Sequence, residues 1–300
     1  MSRPSVAAAL VAVAAVLTGA APAAAQRPSF PVTVRAANGA VTIPRRPARI
    51  VVLSASATET LFAIGAGRQV VAVDDKSNFP AGAPRTELST FRPSAEAVAR
   101  HRPDLVVTST AANRLLPALR RLRIPVLLEP AATHIGGAYE QMRQLGAATG
   151  HRAAAARLVA RMRRRIAAAV RTVPRGGRRL TFFHELTPDL YSVTSRTFIG
   201  RVYALFGLRN IADAARKADA FPQLSGEYVL AANPDLVFLA DVKCCGQTAR
   251  TVAARPGWSA IAAVRNRRVV ALDDDVASRW GPRIVDFLRR IAAVVRAARS

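Results

Sequence analysis

Three observations predict an α/β protein of two lobes, each a mainly parallel sheet with flanking helices, joined by one long helix. Short apolar runs of strand type alternate with helical stretches along the chain. A motif from the first half recurs in the second half at a lobe-sized offset. Between the halves lies one long amphipathic segment with no turn signal inside it.

The elements follow in order. Val32 and Val34 alternate toward Asn38-Gly39, with Val41 and Ile43 beyond, which is a hairpin signal. Arg49-Ile50-Val51-Val52-Leu53 reads as a buried strand. It runs into Ser54-Ala55-Ser56-Ala57-Thr58-Glu59, where hydroxyl residues followed by Glu suit a helix N-terminus. That helix should end near Gly65-Ala66-Gly67. Further strands fit Gln69 to Val73, Leu105 to Val107 and Val126 to Leu128. Residues 151–173 read as one helix ending before Pro174, because Leu158, Met162, Ile166 and Val170 make a single apolar stripe. A second series follows with strands at Leu180 to Phe183, Leu190 to Val193, Leu236 to Leu239 and Val269 to Leu272, then a helix from about Arg283 to Ala298. The expected organisation is a signal segment at 1–25, an N-terminal lobe with its leading hairpin at 26–150, the linking helix at 151–173 and a C-terminal lobe at 174–300.

The repeat is Ser94-Ala95-Glu96 followed by Pro103-Asp104-Leu105-Val106, and Ser225-Gly226-Glu227 followed by Pro234-Asp235-Leu236-Val237. In each copy Ser should cap a short helix, Pro-Asp should end it, and a buried strand should follow.

Half of the residues are apolar, which allows a sizeable core and argues against global disorder. The chain carries 44 basic and 19 acidic residues, for a formal charge of +25. Only Lys76, Lys217 and Lys243 are lysines. The abundance of Arg and Ala fits a GC-rich coding bias better than a nucleic-acid module, because the arginines are dispersed and no aromatic-rich basic motif accompanies them. At the N-terminus Arg3, an apolar run from Val6 to Leu17 and Ala23-Ala24-Ala25 have the order of a secretory signal. An exported protein, periplasmic or extracellular, is expected. No lipid-anchor cysteine is seen, since Cys244 and Cys245 are the only cysteines. These neighbours leave open a vicinal disulfide or two free thiols.

Enzyme signatures are missing. The chain has no G-x-S-x-G, no phosphate loop and no zinc-ligand cluster, and its four histidines read as surface or packing residues. Asp273-Asp274-Asp275 lacks the spacing of a calcium loop and reads as a solvated turn. No protein-bound metal or cofactor is expected. A binding architecture remains, with ligand beyond the carboxyl ends of the strands. The strand-end segments offer Ser56, Asn78, Thr110, Asp275 and Arg279 as polar contacts, and Phe79, Phe198 and Trp280 as aromatic surface. Phe91 and Phe221 precede the two repeated glutamates and can reach the same cleft. Two other classes stay open on composition: an α/β hydrolytic enzyme, and a basic envelope protein that binds nucleic acid or lipid.

The sequence resembles the periplasmic binding proteins of cobalamin and ferric-siderophore ABC importers. The resemblance rests on Pro47-Ala48-Arg49-Ile50-Val51 through Ser54-Ala55-Ser56-Ala57-Thr58-Glu59-Thr60-Leu61, on Glu96 with Arg102-Pro103-Asp104-Leu105-Val106, on Glu227 with Asn233-Pro234-Asp235-Leu236-Val237, and on Arg279-Trp280-Gly281-Pro282-Arg283. It implies two lobes on a helical backbone, no enzymatic activity, and a monomer that hands a chelate to the importer's membrane subunits. Cobalt or iron would belong to the ligand. It further implies that Glu96 and Glu227 are docking residues that pair with importer arginines. The Phe79, Phe221 and Trp280 neighbourhoods resemble aromatic contact positions of cobalamin binders, whereas Thr90 stands where such a protein can carry an aromatic. An arginine-rich cleft suits an anionic ferric siderophore or haem.

Overall fold

The computed structural model describes residues 30–174, 176–215 and 219–299. The signal-like segment 1–25 lies outside the described residues. Strands β1 (Val32–Ala36) and β2 (Gly39–Ile43) form the expected hairpin, paired from Val32↔Ile43 to Ala36↔Gly39. Gly39 turns at φ +102°, a conformation that favours glycine. The tip is also a clasp. The Asn38 side chain donates to the Val126 carbonyl and accepts from the Leu128 amide, which covers a sheet edge.

The N-terminal lobe continues through β3 (Ile50–Leu53), α1 (Ala55–Ala63), β4 (Val70–Val73), α2 (Ala95–Arg100), β5 (Leu105–Thr108), α3 (Leu115–Arg121), β6 (Val126–Leu128) and α4 (Ile135–Thr149). α5 (Arg152–Arg171) follows and leads to the second lobe. That lobe contains β7 (Thr181–Glu185), α6 (Phe198–Ala204), β8 (Arg209–Asn210), α7 (Gly226–Ala232), β9 (Leu236–Leu239), α8 (Val242–Cys245), α9 (Ala249–Ala253), α10 (Ala262–Arg265), β10 (Val269–Ala271), α11 (Asp274–Ala277) and α12 (Ile284–Arg299).

The first sheet has the order β4-β3-β5-β6 and the second, read from its other edge, β8-β7-β9-β10. Every pairing within these two sheets is parallel. Both lobes therefore share one topology, and in each the order reverses at the first strand, β3 or β7. That reversal opens a crevice beyond the carboxyl ends. The four residues of β3, β5 and β9 are all buried, as strands covered on both faces require.

The repeat has a structural basis in each lobe. Ser94 and Ser225 cap α2 and α7 by accepting from Ala97 and Tyr228. The Asp104 carboxylate accepts the Ala48 and Arg49 amides ahead of β3, and Asp235 accepts the Thr181 amide at the start of β7. Pro-Asp thus ends a helix and pins the neighbouring first strand. One expected strand does not form: Leu190 to Val193 runs beside 220–223 through a bridge between Tyr191 and Gln223. The chain turns back at Leu190, φ +68°, before it can extend the sheet. The edge position goes instead to the two-residue β8, too short to have an apolar run.

Helix α5 buries Leu158, Val159, Met162 and Ile166 and exposes its arginines. It packs against α4 and α12, so the core is continuous from one lobe to the other. Among the described residues no helix is long and apolar enough to cross a membrane.

Candidate functional site

The strand ends of the two lobes meet through a buried ionic clasp. Glu59 lies on α1 and its side chain is 1% exposed. Its Oε1 accepts from Arg279 at 3.0 Å and from two nitrogens of Arg283 at 3.0 and 2.7 Å. Arg279 also donates to the Lys76 carbonyl at 2.8 Å and to Asp275 at 2.7 Å. Asn78 reaches across from the N-terminal lobe to Asp275 at 3.0 Å, and the Trp280 amide donates to the Ser56 hydroxyl at 3.2 Å. The Arg283 guanidinium lies 4.3 Å from the centre of the Phe79 ring. Gly281 fits here because a Cβ would come within 2.9 Å of Glu59 Oε2.

Of the residues expected to bind ligand, Ser56, Asn78, Phe79, Asp275, Arg279 and Trp280 are brought together across the lobes. Ser56 and Arg279 are buried, and much of their hydrogen-bonding capacity is used within the clasp. Phe79, Phe91 and Phe221 are 43%, 72% and 49% exposed. Of the three, Phe79 stands at the clasp through its contact with Arg283, while Phe91 and Phe221 are exposed one in each lobe. Thr110 is half-buried, with its hydroxyl accepting the Ala112 amide. Phe198 is a correction: it is buried in the core at the start of α6, where it packs with Ile199, Val202 and Tyr203 on the inward side of that helix.

The Asp273–Asp275 tract is a second correction, being a clamp where a solvated turn was expected. Asp273 caps α11, Asp274 accepts the backbone amides of Val242, Lys243 and Cys244, and the Lys243 ammonium bridges Asp273 and Asp275 at 2.8 and 3.0 Å. Burial alone would raise the Asp275 carboxyl. Hydrogen bonds from Asn78 and Lys243 outweigh it and hold the pKa below its ordinary value. The structure joins Cys244 to Cys245.

Other carboxyls at the strand ends carry no motif and escaped sequence reasoning. Burial pushes Glu129, just after β6, up to about 8, and Glu140 adds to the shift. Its Oε1 has no partner, and it shares a narrow gap with Ser56, Met142 and Trp280. In the second lobe Arg255 grips buried Glu185 through two bonds of 2.7 and 2.5 Å while stacking on Trp258. Asp241 beside them is pushed up to about 7, by burial first and then by Glu185. Position at or within two residues of a strand's carboxyl end is the one sequence signal these residues share. Among the histidines, His184 is fully buried against Tyr203, and burial holds it neutral with a pKa of about 3. Among the described residues no group of three or more His, Cys, Asp or Glu is arranged to hold a metal ion.

Glu96 and Glu227 stand in the first turns of α2 and α7 and are exposed. Each of these helices precedes a parallel strand, so it runs antiparallel to it. Its N-terminus therefore lies at the strand's carboxyl end. Both glutamates share the face of the crevice. Backbone amides, and then Ser94 or Ser225, hold their pKa values below the ordinary value, so both are ionised at neutral pH. A surface groove of about 560 Å³ lies elsewhere, between α5 and α12, and is rimmed by Arg165, Arg289 and Arg296.

A family model described as periplasmic binding protein matches residues 50–276. The chain belongs to the periplasmic binding-protein family. A cobalamin-binding protein of Halobacterium salinarum is 34% identical over 310 residues, covering 94% of this chain and 82% of the relative. An uncharacterised ABC transporter substrate-binding lipoprotein of Bacillus subtilis is 29% identical, covering 88% of this chain and 85% of its own length. Among solved structures, the apo form of a periplasmic haem-binding protein from a Roseiflexus species superposes with a TM-score of 0.74 at 27% identity, covering 85% of this chain and all of that one. The family is one of substrate-binding proteins, and this member is not an enzyme.

Proposed function

We propose that this protein captures a metal chelate outside the cytoplasm, a cobalamin, ferric siderophore or haem, and delivers it to an ABC importer. The observation that carries this reading is the juxtaposition, across two lobes of like topology, of strand-end residues with exposed aromatic surface. A large ligand that is partly flat and partly charged needs that combination. Aromatic faces cover its ring, while Arg283, at the more open edge of the clasp, and nearby amides can meet carboxylates or other polar groups. The relatives' names support the chelate class, with cobalamin for one and haem for another.

Delivery rests on Glu96 and Glu227. They are solvated, ionised and placed one per lobe on the crevice face, which suits two separated contacts to importer arginines and a fixed docking orientation. The cobalt or iron travels with the ligand. The reading includes export through the segment 1–25 and action as a monomer. Ligand-induced thermal shift across cyanocobalamin, haemin and a ferric hydroxamate tests it. A rise in Tm with one of them is the expected result. No response to any, with a melt cooperative enough to show folding, would overturn it.

A further inference from the structure

The disulfide between Cys244 and Cys245 has a sequence separation of one. A bridge between neighbours closes no chain loop, so loop-entropy stabilisation, the usual benefit of a disulfide, is minimal. Its effect is local. It locks the side chains of two exposed residues into one small, stiff, apolar unit.

That unit is held in place from beneath. The amides of Val242, Lys243 and Cys244 all donate to the Asp274 carboxylate at 2.8–3.0 Å, and Gly246 closes the turn at φ +67°. Its place in the fold is decided by one oxygen. Asp275 Oδ2 accepts from Lys243 at 3.0 Å and, from the other lobe, from Asn78 at 3.0 Å. Lys243 directly precedes Cys244, and Asn78 directly precedes the exposed Phe79. The disulfide thus stands at the end of the short helix α8 that follows β9, beside the inter-lobe contact, on the face that carries Phe79. An apolar pair left in solvent, on a helical turn clamped by a carboxylate, has the properties of a preorganised contact for an apolar partner.

We propose that the Cys244–Cys245 disulfide is a ligand contact at the rim of the crevice, packing its sulfur edge against an apolar ring face or edge of the bound chelate. The proposal rests on the chelate-binding reading above and adds a specificity-determining contact to it. Sulfur is polarisable and packs well on π-systems, so the disulfide complements the phenylalanines of the opposite lobe. Its rigidity means that binding freezes no rotamers there.

Two measurements test it on the full mature chain. First, wild type and the Cys244→Ala/Cys245→Ala variant are titrated with cyanocobalamin and with haemin. The expected result is a Kd weakened roughly two- to tenfold for the probe that wild type binds, the range of a sulfur–ring contact, with an unchanged Tm without ligand. Equal Kd values would overturn the proposal and leave the binding function intact. If wild type binds neither probe nor a ferric hydroxamate, the chelate reading falls and this contact with it. Second, the disulfide of wild type is reduced with dithiothreitol and the freed thiols are counted by alkylation and mass spectrometry, with and without saturating probe. The probe's absorption spectrum is followed throughout to confirm that it stays intact. A contact slows reduction at least severalfold. Identical rates at saturation would overturn the proposal even if the double variant fails to fold.

Discussion

Replacing Glu59 by Ala tests the clasp that sets the two lobes against each other. The substitution removes the acceptor of three donors, Arg279 at 3.0 Å and Arg283 at 3.0 and 2.7 Å, from a site where the glutamate side chain is 1% exposed and the arginines 10% and 19%. Removing one partner from a buried ion pair costs about 3–5 kcal/mol, because the charge left behind is no longer compensated. Here the loss falls toward the lower end. Arg279 keeps Asp275 and the Lys76 carbonyl, and Arg283 keeps the face of Phe79. We therefore expect about 3 kcal/mol, read from urea unfolding followed by tryptophan fluorescence. For a chain of this size that is a fall in Tm of roughly 6–12 °C. Arg279→Ala alone and in combination completes a double-mutant cycle, with an expected coupling above about 1.5 kcal/mol. A Glu59→Ala loss below about 0.5 kcal/mol, or a coupling near zero, would refute the clasp.

Glu129 gives a pH signature. Its folded pKa of about 8 lies above the ordinary 4.5, so the fold favours the neutral acid. The burial cost is absent below pH 4.5 and grows by about 1.4 kcal/mol per pH unit up to about pH 8. Glu129→Gln should raise Tm at pH 8 and leave it unchanged at pH 4; the same gain at both pH values would contradict this. Trp280→Ala should weaken chelate binding by roughly 1–3 kcal/mol in titration, and an unchanged Kd in a folded variant would remove the ring from the site. Glu96→Ala combined with Glu227→Ala should preserve folding and chelate affinity while weakening importer binding and uptake, each exposed pair contributing about 0.2–1 kcal/mol before interface desolvation; lost chelate binding with normal docking would place these residues in the crevice.

The fold was legible because both lobes write it in local chemistry. Apolar runs such as Ile50–Leu53 and Leu236–Leu239, the serine caps and the Pro-Asp stops are short-range signals, and they recur. The two-residue β8 was not legible, since its place depends on a sheet edge and not on its own residues. At the site, Asn78, Phe79, Asp275 and Trp280, all beyond strand ends, could be placed from strand order alone. The clasp could not. Glu59 and Arg279 are 220 residues apart, and Glu59 in sequence resembles an ordinary residue of a helix's first turns. Phe198 misled for the converse reason. Sequence order puts it at the end of a strand, Leu190 to Val193, that does not form, and it begins a helix whose apolar positions, Phe198, Ile199, Val202 and Tyr203, form an inward face. The basic composition acquires a location as well: no Asp or Glu occurs from Gln141 to His184, so the exposed arginines of α5 have no acidic neighbour on their own helix, and Arg165 reaches Asp286 of α12 at 3.9 Å.

The claim that the protein carries a chelate and does not transform it is tested most directly by native mass spectrometry of the mature chain with the chelate that raises its Tm. The account predicts one protein bound to one intact chelate, its mass unchanged after prolonged incubation and recovered whole on denaturation. A chelate altered in mass, or the absence of a 1:1 complex at saturating concentration, would contradict it.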